Sequence, residues 1–165
     1  MKKGQLEISF GMIFTIFIII VIVAVSSYVI VSFQCNSKSI SCLSYYDKLQ
    51  KKITEAWNSD KSNWIYDENV PKGTSYICFG NLSLVSNNAD SKTKDIAFEL
   101  KKVIFNRNKN MFFYPQKSSC CEKENGGATL KNVRDRNFFC LPAIKGKVKL
   151  RIIQNFSGGL VSLSE

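Results

Sequence analysis

Hydrophobic and polar positions divide this chain into two unlike parts. From residue 10 to residue 33 the sequence FGMIFTIFIIIVIVAVSSYVIVSF contains no charged side chain, whereas residues 34–165 are mixed, polar and cysteine-bearing. At about 1.5 Å rise per residue, a helix of that length spans the roughly 30 Å hydrocarbon core of a bilayer. The pattern therefore predicts a transmembrane helix over 10–33. Beyond it, Leu43, Tyr46, Leu49, Ile53, Ala56 and Trp57 recur at helical spacing, with Lys48, Lys51, Lys52 and Glu55 opposite, and Ser44 and Asp47 suit a capping box at the start of an amphipathic helix. Ile96, Ala97, Leu100, Val103 and Ile104 mark a second such helix ending at Asn106.

The remaining runs have strand character. Ser75 to Phe79 (SYICF), after the turn Pro71-Lys72-Gly73, reads as a buried strand, and Met111 to Tyr114 before Pro115 as another. Residues 147–152 alternate strictly, with Val148, Leu150 and Ile152 on one face and Lys147, Lys149 and Arg151 on the other. Asn155 to Gly159 is a turn, and Leu160 to Ser164 returns as an antiparallel partner. The stretch around Trp64 and Tyr66, and the polar run from Gln116 to Asp135, read as loops. The expected fold is α+β: a single N-terminal transmembrane helix followed by a small extracytoplasmic domain, with an antiparallel sheet and one or two amphipathic helices. Its segments are a short basic tail (1–9), the span (10–33), a neck (34–42) and the domain (43–165).

The flanks of the span set an expected orientation. Lys2 and Lys3 precede it, while uncharged Gln34, Asn36 and Ser37 come after it and before Lys38, so the tail is cytoplasmic and the domain outside by the positive-inside rule. A cleaved secretory signal would need a shorter apolar core and a small-residue cleavage site, and Val29 to Phe33 offers none. All six cysteines, Cys35, Cys42, Cys78, Cys120, Cys121 and Cys140, fall on the outer side, where disulfides persist. The short Cys35–Cys42 loop is the favoured pair for the neck, with Cys78, Cys140 and one of Cys120 and Cys121 tying the domain. Adjacent Cys120 and Cys121 disfavour a bond to each other. No pair has zinc-ligand spacing and the chain has no histidine, so neither a metal nor a cofactor is expected. Asn81-Leu82-Ser83 and Asn155-Phe156-Ser157 are glycosylation sequons, with Asn81 and Asn155 as acceptors.

Charge adds a candidate partner. Of the net charge of +10, Lys2, Lys3 and Glu7 contribute +1, leaving +9 beyond the span. A basic outer domain favours an acidic ligand such as an anionic glycan, an acidic protein or nucleic acid, and the row Lys147, Lys149 and Arg151 is the face that would meet it. Chemistry is harder to place. The chain has no nucleophile elbow, no phosphate-binding glycine loop, no dinucleotide fingerprint and no zinc-protease motif, and without histidine it lacks the commonest general base. A non-enzymatic structural or interaction protein is the expectation. Gly11 and Thr15 form a small-xxx-small pair within the span, a feature that lets helices approach in self-association.

The amino terminus also carries a resemblance. Lys2-Lys3-Gly4-Gln5 followed by a long apolar helix with one early acid resembles the class III signal of archaeal type IV pilin-like precursors. The phrases Gly4 to Phe14, Asn110 to Pro115 and Phe138 to Leu150 resemble a family of uncharacterised single-span archaeal membrane proteins. The first resemblance implies a prepilin peptidase as a partner, cleavage between Gly4 and Gln5, and Glu7 as the helix-start acid used in assembly. In the usual pattern a Ser stands between the Gln and the Glu; here Glu7 precedes Ser9. The alternative to such a subunit is an uncleaved single-pass protein presenting its basic face to an acidic ligand.

Overall fold

The structure, a computed structural model, describes residues 10–104, 108–116, 127–134, 137–156 and 159–164. The chain divides into two units, Met1–Asn36 and Ser37–Glu165. A single helix, α1 (Phe10–Trp57), supplies the described part of the first and opens the second. The residues read as a neck, 34–42, are thus helical backbone, and Ser44 to Asp47 lie inside the helix instead of capping a new one. The reason is local: no Gly or Pro stands between Phe33 and Trp57, and nothing else there breaks the hydrogen-bond ladder.

In the second unit α1 buries one stripe. Ser39, Cys42, Tyr45, Leu49, Ile53 and Ala56 recur at three- and four-residue steps and are all buried, while Lys48, Lys51 and Lys52 face outward. Leu43, expected on the buried side, is 42% exposed, because the stripe runs through Cys42 and Tyr45 instead.

Two sheets complete the domain. The first has order β1-β7-β8, from β1 (Ser62–Asn69), β7 (Lys147–Gln154) and β8 (Ser162–Ser164), antiparallel throughout. The alternation read from 147–152 is present: Val148, Leu150 and Ile152 are buried, and Lys147, Lys149 and Arg151 are exposed. β8 returns against β7 with Arg151 opposite Ser164 and Ile153 opposite Ser162. β1, expected as a loop, is drawn into register along eight residues of β7. Its own period is blurred because Trp64 keeps 38% exposure on the side that also carries buried Ser62 and Tyr66.

The second sheet has order β3-β6-β2-β4-β5: β2 (Tyr76–Phe79), β3 (Asn81–Val85), β4 (Met111–Tyr114), β5 (Gly127–Ala128) and β6 (Asn137–Pro142). β3 runs parallel to β6, and the other pairings are antiparallel. Both faces of this sheet are covered, which is why SYICF reads as a continuous apolar run. Ile77, Phe79, Met111, Phe113 and Leu141 share a core with the α1 stripe and with Val148, Leu150 and Ile152. Cys78, Phe112, Phe138 and Cys140 turn the other way, toward Ile96, Ala97 and Leu100 of α2 (Ser91–Val103). The Asp90 carboxylate caps α2 by accepting from the Thr93 N–H. Val103 lies off the buried face, at 55% exposure.

Covalent and polar ties fix the edges. Cys78 and Cys140, opposite each other on neighbouring strands, form a disulfide. Cys42 is also disulfide-bonded. Its expected partner, Cys35, is seven residues away along the same helix, about 10 Å, beyond the 7 Å Cα limit of a disulfide. Cys120 and Cys121, the other cysteines expected to tie the domain, lie outside the described residues. Segment 127–134 is held to α1 by Gln50, whose Oε1 accepts from Lys131 N at 2.8 Å and whose Nε2 donates to Lys131 O at 3.3 Å. Asn110 grips Leu130 in the same two-handed way, at 2.9 and 2.7 Å.

Two outcomes check this fold. Ile53→Ala, at a site with no exposure, is expected to destabilise the protein by about 2–5 kcal/mol in denaturant unfolding, against less than about 0.5 kcal/mol for Ile65→Ala at 66% exposure. Peptide mapping without reduction should recover Cys78 joined to Cys140, and no peptide joining Cys42 to Cys35. A Cys35–Cys42 peptide would show that the helix is interrupted between them.

Candidate functional surfaces

Gly11–Ile30 is the first surface. Each of these twenty residues is exposed, and the segment is long and apolar enough to cross a membrane. Its Thr15 hydroxyl donates to Gly11 O and its Ser27 hydroxyl to Val23 O, both at 2.8 Å. A spanning helix needs such closure, since an unmet hydroxyl in hydrocarbon loses its bonds to water without replacement. Apolar side chains point outward on every face, from Phe14 and Phe17 to Ile22, Val25 and Val29, so no single side is set apart to meet a sheet. Gly4, Gln5 and Glu7, the residues expected in processing and assembly, lie outside the described residues, as do the side chain of Cys35 and all of Cys120 and Cys121.

The basic row is the second surface. Lys147, Lys149 and Arg151 project from the outer face of β7, beside exposed Asn69, Asp67 and Ile65 of β1 in the same register. Asp67 stands directly across from Lys149 and its Oδ1 is 3.9 Å from Lys147 Nζ. Three cations and one carboxylate therefore share this face. Nothing along the chain announces Asp67 as their neighbour, because it comes from a segment eighty residues away that lacks a readable strand pattern.

Crevices of about 790, 490 and 310 Å³ open elsewhere on the domain. The largest is lined by Ser86, Asp90, Thr93, Asn137 and Ser164 among others, and Asp90 is already engaged as the cap of α2. The 490 Å³ crevice carries Lys48, which pairs with Glu68 at 3.6 Å, and Lys72. Lys109 and Lys131 border the smallest. Among the described residues no three His, Cys, Asp or Glu side chains gather where a metal ion could sit.

Ionisable groups are perturbed in three places that sequence reasoning missed. Tyr45 and Tyr66 meet edge to face at 5.7 Å, and Tyr45 also meets Phe113 at 5.8 Å. Neither phenol hydroxyl has a hydrogen-bond partner among the described residues. Burial holds the Tyr45 hydroxyl well above the ordinary phenol range, helped by Tyr66 and Glu68, and burial acts likewise on Tyr66. The Tyr114 hydroxyl donates to Glu99 at 2.6 Å, and that bond raises it too. On the outer side of α1, a 2.7 Å hydrogen bond from Lys52 lowers the Glu55 carboxyl. The tyrosine contacts join residues distant in sequence, and no local pattern announces them.

No protein-family model matches this sequence, and no curated protein or solved structure matches it either.

The buried phenols give a pH dependence with a definite sign. Above about pH 10 an unfolded tyrosine loses its proton while folded Tyr45 and Tyr66 keep theirs, so the folded state binds more protons and stability falls as pH rises. Below that pH this contribution is constant. Tyr45→Phe removes a hydroxyl without a partner, so the full chain in detergent should unfold within about 1 kcal/mol of the wild type at neutral pH, or later. The variant should also lose less stability between about pH 9 and 11. A steeper alkaline loss in Tyr45→Phe would contradict the assignment.

Proposed function

We propose that this chain is a membrane-anchored, extracytoplasmic structural subunit of pilin-like type, without enzymatic activity, trimmed by a prepilin peptidase between Gly4 and Gln5. The observation that carries the reading is the two-part use of α1. Its segment Gly11–Ile30 exposes apolar side chains on all faces, while its later turns bury one stripe in an α+β domain. A helix apolar all round requires lipid or other helices for surroundings. A subunit that passes from bilayer to filament uses both in turn.

In that passage Glu7 needs a counter-charge, because a carboxylate in an apolar bundle is strongly disfavoured unless paired. Cleavage after Gly4 supplies one: the new amino group of Gln5 on one subunit can pair with Glu7 of the next. Lys2 and Lys3 leave with the tail, in keeping with their place on the cytoplasmic side.

A second reading is favoured by one observation, the exposed row Lys147, Lys149 and Arg151. In that reading the protein is an uncleaved anchored module whose sheet face takes an acidic ligand. Asp67 weakens it, since its carboxylate offsets part of the row's field.

Intact mass and amino-terminal sequencing of the protein from its native membrane separate the two. The subunit reading predicts loss of Met1 to Gly4, a membrane-retained precursor when Gly4 is replaced by a bulky residue, and cleavage without sedimentable filaments for Glu7→Ala. An intact tail on a protein that stays monomeric in detergent overturns it in favour of the anchored module. Removal of all three cations would then weaken binding to an acidic polymer and flatten its salt dependence.

A further inference from the structure

Asn81 opens β3, directly after Gly80 at φ 100°, and β3 is the edge strand of the five-stranded sheet. Its side-chain oxygen accepts from Ser83 N at 2.8 Å. A backbone N–H can only donate, so the atom facing it must be the oxygen, and the orientation of the amide is fixed. The nitrogen Nδ2 is thereby on the side away from Ser83 N and donates to nothing among the described residues. The Ser83 hydroxyl has no partner there either, and Ser83 and Leu84 are exposed.

The other sequon differs. Gln154 Nε2 donates to Phe156 O at 2.8 Å and to Gly159 O at 2.6 Å, and Gly159 N donates to Phe156 O at 3.2 Å. The carbonyl of the middle residue of Asn155-Phe156-Ser157 therefore carries two hydrogen bonds. β3, by contrast, is an edge strand paired only at its two ends, with Leu82 half-buried against the second core and, among the described residues, no hydrogen bond to the Leu82 carbonyl from outside the sheet.

We infer that Asn81 is an N-glycosylation site, an inference that rests on the extracytoplasmic placement of the domain. The donor class is a glycan joined through its anomeric carbon to a polyprenyl phosphate or diphosphate, and the catalyst is a membrane oligosaccharyl transferase. Nδ2 forms a bond to the anomeric carbon, the bond from that carbon to the phosphate oxygen breaks, and its electron pair leaves with the phosphate. The displaced amide proton passes to a base of the transferase, and nothing is oxidised or reduced. Ser83 supplies the hydroxyl that such an enzyme reads two residues after the acceptor. The attached glycan stands at the open edge of the sheet, where it obstructs edge-to-edge pairing with another chain.

The test is peptide mass spectrometry of the full-length protein from its native membrane, alongside labelling of intact cells with a membrane-impermeant reagent. The expected result is a glycan mass increment on the peptide containing Asn81, lost completely in Asn81→Gln and Ser83→Ala, kept in Ser83→Thr, and unchanged on that peptide in Asn155→Gln. An unmodified Asn81 on a domain labelled from outside overturns the site alone. An unmodified Asn81 on a domain labelled only after lysis overturns the placement and the site together.

Discussion

A helix that is apolar on every face cannot stand in water, and a helix that is apolar on one face can. α1 is both in turn. Over Gly11–Ile30 its side chains present hydrocarbon all round, and from Ser39 onward only one stripe, at steps of three or four residues, is buried. The unbroken hydrogen-bond ladder through 34–42 joins these two solvation requirements in one element. The domain is built on the second half: Leu49, Ile53 and Ala56 are wholly buried against strands from both sheets, and the order of the chain afterward reflects the need to cover that stripe.

The sheet on the far side of that stripe has a second task. β2 and β6 carry apolar residues on both faces, so α2 must cover what α1 does not, and the disulfide between Cys78 and Cys140 lies in this second core. Segment 127–134 contributes Leu130 and Val133 to the main core. It is fixed as well by amide side chains, Gln50 and Asn110, each satisfying both a donor and an acceptor of the backbone it holds. Such pairs matter more for specificity than for net free energy, because a buried backbone group left unmet is the costlier state.

Period and composition make a good part of this legible. The apolar run, the stripe of α1, the faces of α2 and the alternation of β7 all repeat at the spacing of their own element, so each can be read locally. β1, β3 and β6 cannot. β1 is an edge strand whose partly exposed Trp64 spoils its alternation, and β6 is buried on both sides, so neither has a clean period of two. The helix boundary is misplaced by local reading because Ser44 to Asp47 has the residues of a cap, whereas only a break in the preceding ladder makes a cap. The Cys35–Cys42 pairing depends on that same misplaced boundary. At the candidate surfaces the cations are visible in the sequence but the carboxylate among them is not, since Asp67 reaches Lys147 only through strand pairing.

The claim on which the rest depends is that Gly11–Ile30 is surrounded by apolar matter while the later turns of α1 keep a water-facing side. Hydrogen–deuterium exchange of the full chain in lipid nanodiscs, resolved along α1, tests it most directly. The predicted result is that amides of 11–30 stay protonated far longer than those near Lys48, Lys51 and Lys52. Exchange over 11–30 as fast as on that solvated stretch would contradict it.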